Sequence, residues 1–416
     1  MKQHNPDILI VGGGIAGFAA AIGASEENRH VIIIDKNTQL GGNATQSNVG
    51  TICGAYYPST TGSLHPVGYR FMREFMARVC EESKTNPRIL ENRLSVIPYE
   101  WSVLQKIVYE ELANRHVTCL TGSDLISADV DGNKITRVIV SVDNESIAIN
   151  PGATVDCSGN GAISVLLGLE MIRDEVYQAA SQLFRVENVI CPGEYQLELA
   201  IKRATLRLIH ESRGKVSPSA ISLVPGSLRH GHVDLKLTLP DRITDDPASH
   251  DQARIHALES IGQLFPTLKK NVDYLASASV EFIFPQLGVR VNERSRGKYV
   301  LTESDVLTGR KFEDGIAIGT WPMEEWGYDG KVTMKFTEND NGYDIPVGCL
   351  RSASLDNLYF GGKNISASTK AIASARVMGT CLQTGYAAGK IASHPSAEGH
   401  SKMTSILTLE LSETRI

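Results

Sequence analysis

Several things are missing from this chain, and each absence removes a class of function. Its seven cysteines are scattered, odd in number and never spaced C-x-x-C. That pattern excludes a disulfide framework and a thiolate zinc site, and predicts reduced thiols in a cytoplasmic protein. Basic residues are in deficit: 41 Lys and Arg stand against 47 Asp and Glu, a formal net charge of -6. Nucleic acid is therefore not an expected partner, since it calls for a basic face. No basic segment with a cleavage site opens the chain, so no secretory leader is expected. No apolar run reaches membrane length; residues 8–24 are broken by five glycines, and no membrane association is expected. Internal repeats and low-complexity tracts are absent, and self-association is left open.

What is present is globular in texture, with 42% hydrophobic and 21% charged residues. A length of 416 residues suits two domains or one elaborated domain. The stretch that organises the rest is residues 8–36. Ile8–Val11 reads as a buried parallel strand. Gly12, Gly14 and Gly17 follow as G-x-G-x-x-G, residues 15–24 read as a small-residue helix beginning with Ile15 and Ala16, and residues 31–34 form a second buried strand ending at Asp35. Gly12 permits a tight turn, Gly14 lets backbone approach a pyrophosphate, and Gly17 lets helix and strand pack closely. The helix start offers N–H groups and a positive dipole end to phosphate. Asp35 stands 23 residues after Gly12, where a carboxylate can accept ribose hydroxyls. Strand, glycines, helix, strand and acid in this order predict a dinucleotide site.

Residues 40–57 carry Gly41, Gly42, Asn43, Ala44 and Thr45 in a glycine-rich loop. It suits backbone contact with a flat or charged ligand, or a surface Ω-loop. Amphipathic helices are expected over 69–81 and 102–114. A strand over 117–120 precedes a three-stranded meander at 123–129, 135–142 and 146–149, with Asp-Gly and Asp-Asn turns. A strand over 154–157 runs into Gly159 and Gly161 and a helix over 162–169. From 170 to 345 the texture becomes mixed α+β, with strands over 177–189 and 232–239, helices over 195–211 and 252–264, and a polar loop over 243–250. His230 and His232 are expected on one face of a strand, packed or solvated and without the further ligands a metal needs. The strand at 358–362 ends in glycines, and residues 371–392 read as one long small-residue helix. The tail beyond Ser393 is expected to be partly loose.

Taken together, these stretches resemble two-domain FAD-dependent oxidoreductases with glutathione-reductase-type FAD binding. The resemblance is carried by residues 10–17, by Gly41-Gly42-x-Ala44-Thr45, by residues 155–161, by residues 288–306 and above all by the long block 357–389. That last block favours FAD over NAD as the tightly held dinucleotide. The expected architecture is α/β: a Rossmann-like FAD-binding domain with a three-stranded β-meander and an inserted α+β substrate domain. Its expected parts are 1–169 and 346–395 for FAD, 170–345 for substrate, and 396–416 as a tail.

The resemblance also implies roles. Gly12, Gly14 and Gly17 approach the pyrophosphate, and Asp35 and Lys36 flank the adenosine ribose. Gly42, Asn43 and Thr45 lie along the phosphate and ribityl side. Leu125 presents backbone to the adenine edge, and Gly159 and Gly161 pack by the pyrophosphate. Gly362, with a helix from Ser374 carrying Arg376 and Val377, lies near the ribityl chain and the pyrimidine end of the flavin. There is no His-Thr-x-x-Ala-x-Gly-Gly run, so the FAD is expected to be non-covalent. No second G-x-G-x-x-G and no redox cysteine pair is present. A histidine usual in relatives is missing around residues 319–326, where Glu324 and Glu325 either substitute or are simply solvated.

Substrate is expected between the domains, among residues 49–57, 178–185, 290–296 and 321–326. Arg290 or Arg294 can clamp a carboxylate or form an inter-domain salt bridge. Tyr56 can line the ring or donate a proton, or merely pack, and Glu324 is a further catalytic candidate. Cys53 has no visible activator and is expected to be inert. The expected reaction is dehydrogenation of a small organic substrate by hydride transfer to flavin N5. Flavin monooxygenation and a non-redox FAD-binding role remain the alternatives.

Overall fold

The structure, a computed structural model, describes residues 2–90, 92–173, 178–211, 221–244, 246–291, 293–328 and 331–416. Its centre is a five-stranded parallel sheet in the order Leu358–Phe360, Ala153–Asp156, Ile8–Val11, Val31–Asp35, Thr118–Thr121. Ile8 stands opposite both Val31 and Ala153, and Thr118 opposite Ile32. The runs ILIV and VIII are apolar throughout because both faces are covered. Ile8, Ile10, Val31 and Ile33 enter one core, while Leu9, Val11, Ile32 and Ile34 enter another.

The second of these cores is closed by the meander Ser123–Asp131, Lys134–Val142 and Glu145–Ile149. At its second turn Asp143 and Asn144 both take positive φ, 50° and 65°, the backbone that a tight two-residue hairpin demands. The meander sheet has four strands rather than the expected three. Lys2–His4 joins it parallel to Glu145–Ile149, with Lys2 3.1 Å from Glu145. The sequence KQH carries no apolar alternation, so nothing local marks it as a strand.

The first core lies between the parallel sheet and its helices. Ile15–Ser25 packs on Met378–Ala392 at unusually short range, and small residues permit it. A methyl on Gly385 would fall 2.1 Å from the Ala16 carbonyl oxygen, and one on Gly389 2.0 Å from that of Ala20. The long helix expected over 371–392 is in fact two, Thr369–Ala375 and Met378–Ala392. Val377 between them is extended, at φ -70° and ψ 155°. Neither Arg376 nor Val377 is a helix breaker by type; the break is held from outside, by bonds of Arg376 described below. The tail is ordered too. Ser396 caps the helix Ala397–Ser412 by accepting from the Gly399 N–H, and Met403, Leu407 and Leu411 sink into the first core at helical spacing.

The inserted region has its own antiparallel sheet, in the order Ile221–Leu223, Val233–Thr238, Ser181–Glu187, Ser279–Ile283. Helices Glu194–Glu211 and Pro247–Asn271 are beside it. The latter starts earlier than expected, because Asp246 caps it by accepting from Ala248 N–H and Pro247 fits its first turn. The core of this region runs from Ala180 to Leu287. Leu301, Ile316, Ile318, Tyr343 and Ile345, expected in the insertion, bury instead in the first core. His230 and His232 are not on a strand. They occupy the turn before Val233–Thr238, with His230 at φ 49° and His232 3.0 Å from Glu281. Tyr177, the first residue of an expected strand, lies outside the described residues. Among the described residues no helix is long and apolar enough to cross a membrane.

Candidate active site

The glycine turn behaves as its spacing requires. Gly12 has φ +96°, and a Cβ there would meet the Cys157 carbonyl oxygen and the Ser158 backbone at 2.7 Å. A Cβ on Gly17 would fall 1.8 Å from the Gly12 carbonyl oxygen, so helix and strand could not close. Gly14 differs: a Cβ there would meet only Gly42 Cα, at 3.8 Å. Gly14 is thus free of steric demand from the protein and faces the space in front of the helix. The helix it opens, beginning Ile15-Ala16-Gly17, has no side-chain cap and no acid in its first turn. Its N–H groups are left for an anion.

Asp35 is buried and oriented by the loops it joins. Its Oδ2 accepts from the Gly13 N–H at 2.6 Å, and its Oδ1 from the Asn37 N–H and Nδ2–H at 2.7 and 2.9 Å. Lys36 is exposed. Gly41 and Gly42 both take positive φ, and the Gly41 N–H bonds to the Gly13 carbonyl at 2.8 Å. Ala44 is buried, and Thr45 Oγ1 donates to the Leu40 carbonyl at 2.9 Å, closing this loop on itself. Asn43 Nδ2 donates to the Val289 carbonyl at 3.3 Å, tying the loop to the chain as it leaves the insertion. Gly159 and Gly161 also take positive φ. Gly362, at φ +65°, lies where a Cβ would strike that of Ala16 at 2.5 Å. Leu125 packs its side chain into the meander core, opposite Val140.

The second half of the site is a cluster of charge. Arg376, at the break between two helices, donates from Nη2 to Gln178 Oε1 at 3.3 Å and to the Glu324 carbonyl at 3.1 Å; its Nη2 is also 3.5 Å from Glu324 Oε2. Its Nε is buried without a partner. Arg290 donates to the Ala179 carbonyl and lies 4.2 Å from the centroid of the Trp326 ring. Lys236 Nζ lies at the same distance from that ring. Trp321 Nε1 donates to Glu324 Oε2 at 3.4 Å.

These groups come from five segments that only the tertiary fold unites. Val233–Thr238 turns Val233, Leu235 and Leu237 into the core of the insertion. Period-two alternation then points Asp234, Lys236 and Thr238 the other way; Asp234 and Thr238 are buried and Lys236 is half-buried. Loss of hydration, and then the charge of Arg290, push the Lys236 ammonium down to about 8. Arg290 is pushed down to about 9 by lost hydration and then by Arg376, though a guanidinium this basic still carries its charge at neutral pH. Burial also lowers Arg376. Cys53 lies in the field of the same groups; burial and Glu324 push its thiol up to about 12, so it stays protonated and unreactive.

The two halves are braced by Asp234. It accepts from Arg185 Nε and Nη2 at 2.7 and 2.9 Å, and from Asn48 Nδ2 at 2.8 Å. Arg185 also holds Glu100 at 3.0 Å. The glycine-rich loop is thereby tied to the inserted sheet through a buried pair.

Of the four catalytic candidates, Arg290 and Glu324 fall in this cluster. Arg294 does not; it is 2% exposed and spends its guanidinium on the Ala367 carbonyl and Thr369 Oγ1, at 2.8 and 3.0 Å. Tyr56 bridges to Pro66, packs against the first core, and is pushed up to about 12 by burial and Cys80. Val377 is buried beside Trp321 and caps the helix Met378–Ala392 without a side-chain bond. The helix start facing this region is therefore Met378, not Ser374. Gln178 and Trp326 lie in stretches expected near substrate, whereas Lys236 was passed over. The available signal was the alternation of residues 233–238, whose polar face a substrate domain must turn toward its partner.

These features fit FAD. Gly14 leaves an open cradle, two helix starts are uncapped, and Thr380 Oγ1 in the first turn of the second is buried without a protein partner. Among the described residues no group of three His, Cys, Asp or Glu is placed to hold a metal ion.

Over a stretch of 45 residues the chain is 42% identical to the soluble pyridine nucleotide transhydrogenase of Chromohalobacter salexigens; that match spans 11% of this chain and only 10% of the enzyme. Among solved structures, a geranylgeranyl bacteriochlorophyll reductase-like protein from Thermoplasma acidophilum is similar at TM-score 0.48 and 12% identity, over 98% of this chain and 84% of that one. An anhydrotetracycline hydroxylase from Streptomyces rimosus is similar at TM-score 0.48 and 8% identity, over 96% of this chain and 65% of that one. The sequence model of FAD dependent oxidoreductases matches residues 7–413, nearly the whole chain. With the cradle and the paired helix starts in place, the chain belongs to the FAD dependent oxidoreductase family, and FAD is its cofactor.

Proposed function

We propose that this enzyme is a dehydrogenase, removing hydride from a small organic substrate held beside Lys236, Arg290, Glu324, Trp326 and Arg376. Bound FAD supplies the hydride acceptor, N5 of its ring. The observation that carries the reading is the convergence of these five side chains, from the inserted sheet and the FAD-binding region, at the break that precedes the uncapped helix start at Met378. Arg376 and Arg290 orient the substrate by charge and directed donors. Trp321 is buried beside Val377, and Trp326 offers its ring to Lys236 and Arg290. Cys53 contributes bulk and no nucleophile.

The test is anaerobic mixing of the FAD-loaded enzyme with small organic acids, amines and alcohols, reading flavin absorbance. Bleaching by a substrate alone is the expected result. If no compound bleaches it, while NADH or NADPH with O₂ yields hydroxylated product, the enzyme is a monooxygenase and the reading fails.

A further inference from the structure

The charges around Trp326 do not balance. Lys236, Arg290 and Arg376 converge there, and among the described residues Glu324 is the one carboxylate within ion-pair distance of any of them, touching Arg376 alone. Among the described residues the Lys236 side chain has neither a hydrogen bond nor an ion pair, and Arg376 Nε is buried with no acceptor. A half-buried surplus of two positive charges disfavours the folded state unless something anionic joins it. Trp326 does not neutralise it; a ring face attracts a cation but carries no net charge.

We propose that this cluster is the recognition site for a small dicarboxylate substrate, its two carboxylates divided between Arg376 on the FAD-binding side and Lys236 with Arg290 on the insertion side. The proposal rests on the dehydrogenase reading and names the class of compound that enzyme takes. The cations fit the task unequally. Arg376 offers an Nε without an acceptor, while its Nη2 hydrogens go to Gln178 and Glu324, so a carboxylate would be held there by charge and by the one Nε–H. Lys236 is a point charge without a direction of its own, and it faces Arg290, Arg376, Glu324 and Cys53. Because burial and Arg290 hold its ammonium near 8, an incoming carboxylate strengthens the protonated form, so binding draws in a proton near that pH.

The experiment is calorimetric titration of the FAD-loaded protein with malonate and succinate, beside malonamide and propionate as neutral and singly charged controls. One of the two dicarboxylates should bind roughly tenfold or more tightly than either control. Its affinity should fall about tenfold between about pH 7 and about pH 9.5, and proton uptake should appear as a buffer-dependent heat near the midpoint. Lys236→Met should weaken binding about tenfold at neutral pH and abolish the step near pH 8, whereas Lys236→Arg should retain binding and lose only that step. Lys236→Met removes a half-buried charge and should fold; its thermal melt checks this. The proposal is overturned if neither dicarboxylate outbinds malonamide, if inorganic phosphate or propionate matches both, or if Lys236→Met leaves affinity and pH profile unchanged. Flavin content, read by absorbance of the released cofactor, separates the two levels. A yellow protein that ignores dicarboxylates sinks this proposal alone; a protein that binds them yet cannot take up FAD sinks the function.

Discussion

The FAD cradle and the cation cluster solve opposite problems. The cradle works by subtraction: Gly12 and Gly17 remove side chains so that strand, turn and helix can close, and Gly14 leaves open space in front of the helix. The cluster works by addition, crowding long charged side chains from separate segments around one indole ring. Subtraction is local and leaves its signature in neighbouring residues. Addition is assembled only by the tertiary fold, and its members look ordinary in sequence. The difference teaches where damage shows. Glycines of the cradle are either structural or ligand-facing, and space decides which, whereas members of the cluster oppose stability in proportion to their use.

The largest effect is expected at Gly17. A single methyl there would lie 1.8 Å from the Gly12 carbonyl oxygen. Gly17→Ala should therefore abolish soluble, folded protein or lower its stability by about 4 kcal/mol or more, seen in expression and denaturant melts. Next is Arg185→Ala, which strands the buried Asp234 carboxylate. It should cost about 3–5 kcal/mol in denaturant unfolding. Were the loss below about 1 kcal/mol, the brace between loop and insertion would not matter.

Gly14→Ala is the sharp counterpart of Gly17→Ala. Its Cβ would find only Gly42 Cα at 3.8 Å, so the apo-protein should melt as the parent does. FAD affinity should nevertheless fall about tenfold, or about 1.4 kcal/mol, measured by flavin fluorescence on titration. Equal loss in both assays would erase the distinction drawn between the two glycines.

Lys236→Met runs the other way, toward higher stability. The Lys236 ammonium is pushed down to about 8 from an ordinary value near 10.5. The folded state thus disfavours its proton: the cost is fully present below about pH 8 and fades as pH rises toward the unfolded value. Methionine removes that cost, so the melting temperature at neutral pH should rise by roughly 2–4 °C, with no gain above about pH 10.5. A drop instead would mean that the lysine has a partner and the charge surplus is illusory. The smallest effect is at Ser396→Ala, which deletes a cap of the last helix. About 1 kcal/mol, and no change in FAD affinity, is expected from melts and titration.

The same division explains what the sequence alone made legible. Backbone conformation is a local demand, so the strand, glycine turn, helix and Asp35 could be read directly from residues 8–36. The meander was readable because its turns require Asp-Gly and Asp-Asn. The split at Arg376–Val377 was not, since both residues sit comfortably in helices and the bonds that hold the break come from Gln178 and Glu324. The strand Lys2–His4 borrows its pairing from Glu145–Ile149 and has no pattern of its own. Arg290 and Arg294 were equivalent as residue types; only packing could tell that one meets Trp326 and the other holds Ala367 in place. Lys236 was hidden because a strand with one polar face usually turns that face to water.

The glycine-studded contact between Ile15–Ser25 and Met378–Ala392 carries a consequence for how the chain is made. The ribosome delivers the first partner early and the second only near the end, with the edge strand Leu358–Phe360 arriving just before it. The opening βαβ unit therefore waits, half covered, through most of translation, while the insertion can bury its own core as soon as Leu287 has emerged. Nascent chains halted at residue 345 should thus yield to protease at the amino-terminal end and resist it within 180–287; resistance at both ends would show that the early unit closes without its late partner.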